Sequence, residues 1–389
     1  MGNVLLISKD VLMKSYLSPY GQKEFDMPNV KELAEKGTVF HRHYTAAPST
    51  AMAFTSMFTE KYAYQTDRKK YVEVEEYEGV TLFDRYHELG YECHVLWDSS
   101  YVYLAQKYSK CYGKHTTIHS VDWLTKAPPA HIVGKFDDLT YFPEYTEKLR
   151  KEFKKFLNEI VGGKKKVFLW IHFPHVLAGR NSYGSDMDVY DELLGYCREY
   201  FTDENIFLTA DHGHMNGTHG KYGYGFDVYE PAICIPLIAP KLEGMDEVTF
   251  PTSNTQLADM IFNRKVAKLP YVISETAYYE QPHREIAIIK DNYKYVYEKA
   301  TGKCRLHDLN WDPEENVDLS KPEIYDLDRR RYYSISQRVY YQKWDDAQKA
   351  LAELETVKQA LWRAPVWYKD LYYKMLFHMK IFAAKILNK

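Results

Sequence analysis

Apolar residues fall in short, nearly unbroken runs separated by longer amphipathic stretches. Val4–Ser8, Glu92–Trp97, Val167–His172 and Ile206–Ala210 are dominated by apolar residues, as expected of strands buried on both faces. Between them, Val30–Lys36, Ala51–Phe58, Thr81–Leu89 and Tyr145–Glu159 carry a helical period, and Gly162-Gly163 closes the last. This alternation predicts an α/β sheet covered by helices. Near Pro251 the texture changes. Thr255–Phe262 reads as a helix, and Ile286–Lys290, Lys294–Tyr297 and Arg305–Asp308 read as an antiparallel meander split by Asp291-Asn292 and Thr301-Gly302. From about Ser336 the pattern turns helical to the end, with a break at Pro365. The expected organisation is an α/β domain over 1–280, a small antiparallel β subdomain over 281–325 packed on it, and a helical tail over 326–389.

Composition sharpens this picture. At 45% hydrophobic and 27% charged over 389 residues, the chain can bury a large core and is not disordered. The net charge of −3 hides a split: from Tyr325 onward 13 basic residues face 7 acidic ones, while the rest holds 38 against 47. An acidic body would repel a polyanion, so nucleic acid is not an expected partner. The basic excess lies in the tail. In Val366–Lys389, Leu371, Met375, Met379, Phe382, Ala383 and Ile386 share one third of a helical turn, with four of the five lysines (Lys369, Lys374, Lys380 and Lys385) on the opposite half. Such a helix suits an anionic membrane surface, though the same stripe can pack on the acidic body or on a second copy. No run of about 18 apolar residues predicts a spanning helix, and the first strand follows the initial Met with no leader pattern. Five dispersed cysteines without a CxxC pair fit a reducing compartment. The expected location is the cytoplasm, with peripheral contact at the inner membrane face.

Four segments carry candidate chemistry. Ser8-Lys9-Asp10 puts a carboxylate just past a buried strand, where ligands sit in open α/β sheets; a solvated strand-end Asp is the plain reading. Ala47-Pro48-Ser49-Thr50-Ala51 opens a helix, where a hydroxyl can face the positive dipole end or simply cap it. Phe207 to His214 runs an apolar strand into Asp211-His212-Gly213-His214, followed by Gly217-Thr218-His219-Gly220-Lys221. Carboxylate beside imidazole suits a divalent transition metal. Finally, His172-Phe-Pro-His175 places two imidazoles at a strand end, one of them as readily packed on the sheet as on a ligand.

In this order, the segments resemble the sulfatase branch of the alkaline phosphatase superfamily. The resemblance rests on Asn3 to Asp10, Met27 to Phe40, Tyr44 to Pro48 with Met57-Phe-Thr59, Gly90-Tyr91 and Pro174-His175. It continues through Asp211-His212-Gly213, Gly217 to Gly220, Tyr229-Glu230, Ile235 to Ile238, Asn292 to Val296 and Leu306 to Leu319. It covers roughly residues 3–325. It implies a large mixed sheet flanked by helices, with a small C-terminal antiparallel sheet, and a helical tail lying beyond the match.

The family's nucleophile position falls on Thr50. Sulfatases carry Cys or Ser there, oxidised to formylglycine within a cys/ser-x-pro-ser-arg signature. Thr50-Ala-Met-Ala-Phe54 has neither the Pro nor the Arg, threonine does not give that aldehyde, and the second Asp of the opening pair is Val11. These departures resemble the threonine-nucleophile phosphodiesterases and phosphoglycerol or phosphoethanolamine transferases. The resemblance then implies one divalent ion, Mn²⁺ or Zn²⁺ ahead of Ca²⁺ or Mg²⁺, held by Asp10, Thr50, Asp211 and His212. His175, His219 and Lys221 would bind phosphoryl oxygens, with the two histidines also serving proton transfer. Expected substrates are small-molecule, glycan or lipid-linked phosphoesters, through a phosphothreonine intermediate. A sulfuric ester hydrolase and a non-catalytic binding protein on the same fold are the alternatives.

Overall fold

A computed structural model describes residues 2–62, 65, 79–99, 111–112, 114–121, 143–177, 184–276, 284–298, 301–320 and 336–361. The basic amphipathic segment Val366–Lys389 lies outside the described residues. Among the described residues, no helix is long and apolar enough to cross a membrane.

The main sheet is built on β1 (Val4–Lys9), β2 (Thr38–Tyr44), β3 (Glu92–Asp98), β4 (Thr116–Val121), β5 (Val167–Phe173) and β6 (Ile206–Ala210). A two-stranded hairpin follows, β7 (Met215–Asn216) with β8 (Tyr222–Gly223). The main sheet then adds β9 (Cys234–Ala239), β10 (Glu247–Val248) and β11 (Thr252–Ser253). Its order is β10-β2-β9-β6-β1-β5-β3-β4, with β11 also on β2. It is mixed: β9 runs antiparallel to both β2 and β6, while β6, β1, β5, β3 and β4 are mutually parallel.

Strand period separates two cores. Leu5, Ile7, Leu169, Ile171 and Leu208 face α1 (Pro28–Lys36) on one side, together with the helices Pro143–Val161 and Met187–Arg198. Leu6, Phe168, Trp170 and Phe207 face the other side, covered by α2 (Thr50–Thr59), α3 (Leu82–Glu88) and the helix Leu257–Asn263. The apolar runs that announced β1, β5 and β6 are therefore covered on both faces, as their composition requires.

The small sheet is antiparallel, in the order β12 (Val272–Glu275), β13 (Glu285–Lys290), β14 (Tyr293–Glu298), β15 (Cys304–Asp308). It has one strand more than the meander expected from sequence, and that strand lies upstream of residue 281. One face packs on the main domain through Val272, Ala287, Ile289 and Val296 against Tyr44, Met215 and Ile233. Lys294, fully buried, ties the two together by pairing with Glu230 (3.1 Å) and Glu315 (2.8 Å). The other face receives the helix Ser336–Leu361 through Trp344, Ala347, Leu351, Leu354 and Val357, positions spaced three and four residues apart as on one helical stripe.

Candidate active site

Register brings the chemistry together before any side chain is considered. Lys9 of β1 pairs with Phe173 of β5 on one side and Ala210 of β6 on the other. The residues just past these strands, Asp10, Pro174-His175 and Asp211-His212, therefore leave the sheet at one edge. It is the C-terminal edge of parallel strands, where open α/β sheets place ligands.

Asp211 and His212 are fully buried. Asp211 Oδ1 accepts the His212 N–H at 2.7 Å and the Val11 N–H at 3.4 Å, which leaves Oδ2 with no hydrogen-bond partner. Asp10 Oδ1 is likewise buried without one. His212 Nδ1 lies 2.8 Å from the Gly213 carbonyl. That oxygen can only accept, so Nδ1 carries the proton and Nε2 presents its lone pair. Nε2 is 3.6 Å from Asp10 Oδ1 and 3.5 Å from Asp211 Oδ2. Ligand atoms of the three residues lie within 4.8 Å of one another. Two unsatisfied carboxylate oxygens and an imidazole lone pair converging in a buried space are costly unless a cation joins them. The donor set fits a divalent metal.

The local backbone is specialised for this. A Cβ on Gly213 would meet the Pro231 carbonyl oxygen at 2.1 Å, so only glycine fits after Asp211-His212. Val11, a β-branched residue, has φ of 60°, a conformation that costs energy. It aims its N–H at Asp211.

Charge states follow from position. Burial pushes the Asp211 carboxyl up to about 6, against the pull of His212. Burial also raises Asp10, but the hydrogen bond from His175 and the neighbouring imidazoles outweigh it and hold Asp10 below the usual carboxylate range.

Thr50 is the first residue of α2 rather than its cap. Ser49 takes the cap position, and its side chain makes no capping bond. The Thr50 hydroxyl is engaged elsewhere: Oγ1 is 3.3 Å from His212 Nε2. The first intrahelical bond is Ala53 N–H to Ser49 O, so the Thr50 and Ala51 N–H groups have no intrahelical acceptor. Phe54, one turn on, packs against Trp170 and His172 and seats the helix start over the strand ends.

The two histidines after β5 separate. His175 is part-exposed, with Nδ1 3.5 Å from Asp10 Oδ2. Lys9, fully buried, holds its segment by donating to the Pro174 carbonyl (2.9 Å) and the His175 carbonyl (2.8 Å), while pairing with Asp186 at 3.0 Å. His172 is buried and bonded to Ser8. His219 and Lys221 make their described contacts away from Thr50. His219 Nε2 donates to the Glu314 carbonyl at 2.8 Å, and its ring stacks on Tyr229 at 4.2 Å. Lys221 pairs with Asp227 and lies 5.5 Å from the Tyr229 ring.

Sequence reasoning did not single out Tyr224, whose ring lies 4.6 Å from His212. Its signal was the run of Tyr and Gly from Lys221 to Gly225. Nor did it single out Asp186, whose pairing with Lys9 spans 177 residues.

The family model described as Sulfatase matches residues 2–240. No curated protein matches the sequence. Similar solved structures include the phosphonate monoester hydrolase of Agrobacterium radiobacter, with 16% identity and a TM-score of 0.59, covering 90% of this chain and 96% of that one. The phosphonate monoester hydrolase of Silicibacter pomeroyi has 15% identity and a TM-score of 0.60 over 88% and 95%. A 2-O GAG sulfatase has 15% identity and a TM-score of 0.61 over 90% and 94%. The fold and the matched segment support a hydrolase acting on ester substrates. With the Asp10, Asp211 and His212 cluster at the edge where the matched strands end, the chain belongs to the sulfatase family.

Proposed function

We propose that this chain is a metal-dependent hydrolase or phosphotransferase of phosphoric esters with Thr50 as its nucleophile. The carrying observation is the Thr50 hydroxyl, at the open end of α2 and 3.3 Å from His212 Nε2, beside a buried cluster that fits a cation. Asp10, Asp211, His212 and Thr50 would hold one divalent ion, Mn²⁺ or Zn²⁺ ahead of Ca²⁺ or Mg²⁺. Bound there, it supplies Lewis-acid polarisation and a lower hydroxyl pKa.

The protein's own groups do the rest. The Thr50 hydroxyl gives its proton to the Asp211 carboxylate, and Oγ1 attacks phosphorus as the bond to the leaving oxygen breaks. The Thr50 and Ala51 N–H groups, at the positive end of the α2 dipole, receive the charge that gathers on the non-bridging oxygens. His175 donates a proton to the leaving oxygen. His219 and Lys221 contact substrate oxygens at the rim. Water then displaces Thr50 from phosphorus in a hydrolase, and an acceptor hydroxyl does so in a transferase. Substrates would be small-molecule, glycan or lipid-linked esters.

A second reading, sulfuric ester hydrolysis, is favoured by the family match and by the 2-O GAG sulfatase among the similar structures. Thr50 stands against it, because threonine cannot supply the formylglycine aldehyde. Turnover of bis(4-nitrophenyl) phosphate and 4-nitrophenyl sulfate with Mn²⁺ separates the two. The phosphodiester reaction is expected to dominate and to be abolished in Thr50→Ala. Undiminished turnover in that variant, or faster cleavage of the sulfate, would overturn the proposal.

A further inference from the structure

Beneath Phe54, one turn along α2 from Thr50, lies a chain of hydrogen bonds that the proposed scheme leaves unused. Trp170 Nε1 donates to Ser8 Oγ at 2.8 Å, and Ser8 Oγ lies 2.9 Å from His172 Nδ1. All three residues are at least 95% buried. Indole can only donate, so Ser8 Oγ accepts at one end. Among the described contacts of Ser8 Oγ, the one acceptor for its own proton is His172 Nδ1. If Nδ1 carried the proton instead, the serine proton would be buried without an acceptor, which is unfavourable. The accounting therefore closes in one direction only, from Trp170 through Ser8 to His172. It fixes His172 as the tautomer with its proton on Nε2.

Three aromatic rings hold that imidazole rigidly. Phe54 meets it edge-on with centroids 4.8 Å apart, Trp97 lies at 4.8 Å and Trp170 at 5.8 Å. The ring is at the mouth of β5, in register with Ser8 and two residues short of the level of Asp10. Asp10 and His212 are both within electrostatic reach of it. Burial holds its pKa down at about 3, so the ring stays neutral and can donate without bringing charge to the site.

We propose that His172 Nε2–H is a preset, neutral hydrogen-bond donor to a non-bridging oxygen of the bound phosphoryl group, oriented through Ser8 by Trp170. The proposal deepens the ester-hydrolase reading and rests on it. It adds a fixed donor from the sheet to those from α2, on the principle that donors aimed in advance need no reorganisation during reaction.

The test has two arms on the full-length protein. In the first, ¹⁵N-histidine spectra are recorded, with His172 assigned by its loss in His172→Gln. The expected spectrum shows Nδ1 unprotonated and Nε2 protonated. Inorganic phosphate added with Mg²⁺ is expected to shift the Nε2–H signal and slow its exchange with water. A protonated Nδ1, or an Nε2–H unmoved at phosphate saturation established by calorimetry, overturns the proposal. In the second arm, Ser8→Ala/His172→Phe keeps the aromatic packing and leaves no stranded hydroxyl. Its kcat on the phosphodiester is expected to fall about 10²-fold with the fold retained by circular dichroism, although the Trp170 N–H loses its acceptor and lowers the melting temperature, and His172→Gln, which retains a donor, to recover part of the loss. Wild-type kcat in the double variant overturns the proposal. If the wild-type protein turns over no ester, the enzymatic reading fails, and the phosphate spectra still decide the donor.

Discussion

Lys9 offers a quantitative test of how the site is held. It ends a run of six buried residues and is itself 1% exposed. Its three protons are spent on the Pro174 carbonyl, the His175 carbonyl and Asp186 Oδ2, and Asp186 Oδ2 also accepts the Leu177 N–H at 2.8 Å. Lys9→Met keeps the stem and deletes the charge. It strands a fully buried carboxylate, a change that costs about 3–5 kcal/mol, and frees two carbonyls beside His175. Against a typical domain stability of about 5–15 kcal/mol, the urea midpoint at pH 7, read by circular dichroism, is expected to fall by about a fifth or more. Lys9→Met/Asp186→Leu removes both charges and is expected to recover most of that loss, because buried ion pairs are often replaced by apolar groups at little cost. The deficit should also depend on pH. Burial already raises Asp186 with Lys9 present, and without the lysine it rises further. A carboxyl with a raised folded pKa binds more protons in the native state, so stability is lost as pH rises through that value. The single variant is therefore expected to be closest to wild type in acid. A Lys9→Met unfolding free energy within about 1 kcal/mol of wild type, or a double variant no better than the single, would refute the clamp.

Other outcomes follow from the site geometry and, for the tail, from its sequence pattern. Thr50→Ser retains a hydroxyl at the start of α2 and is expected to keep measurable turnover where Thr50→Ala loses it by at least about 10³-fold; equal loss in both would argue for a purely structural threonine. Asp211→Asn removes one carboxylate from the cluster and is expected to weaken Mn²⁺ binding by calorimetry about 10-fold or more, with unchanged affinity counting against the metal site. His43 is fully buried, and burial lowers its pKa to about 3. The unfolded chain binds a proton there below about 6.5 while the native one does not, so stability falls as pH drops from there to about 3. His43→Phe should flatten this acid limb, and parallel profiles for the two proteins would exclude it. Removal of residues 366–389 is expected to abolish co-sedimentation with phosphatidylserine vesicles; undiminished binding would place membrane contact elsewhere.

The edge that gathers Asp10, His175, Asp211 and His212 was legible in sequence because its strands are buried on both faces. Val4–Ser8, Val167–His172 and Ile206–Ala210 have no solvent side to blur their pattern; the first and last run straight into Lys9 and Asp211, and the middle one ends on His172. What lies at the sheet's flanks was not. β2 reads Thr-Val-Phe-His-Arg-His-Tyr, and the polar half hides a strand whose His43 is buried on Thr252. β9 contains Pro236, which argues against an interior strand. The register of β2 on β9 slips between Phe40 and His43, where that proline sits without an N–H to offer. β4 is a part-exposed edge strand with little apolar signal. Asp10, Asp211 and His212 could be placed from strand ends alone. Lys9 could not, because a lysine at a strand terminus is ordinarily solvated and its carboxylate partner lies 177 residues away. The Ser49-Thr50 step allowed either a cap or a nucleophile. Only the distance from Thr50 to His212 gives that hydroxyl a partner outside its own helix.

The most direct measurement is the mass of the Thr50 peptide from protein acid-quenched during turnover of a phosphodiester with Mn²⁺. The account predicts a phosphoryl adduct on Thr50 that appears within the first turnover, decays when substrate is exhausted, and is missing from Thr50→Ala. An adduct on another residue, or steady turnover by Thr50→Ala with no adduct at all, would contradict it.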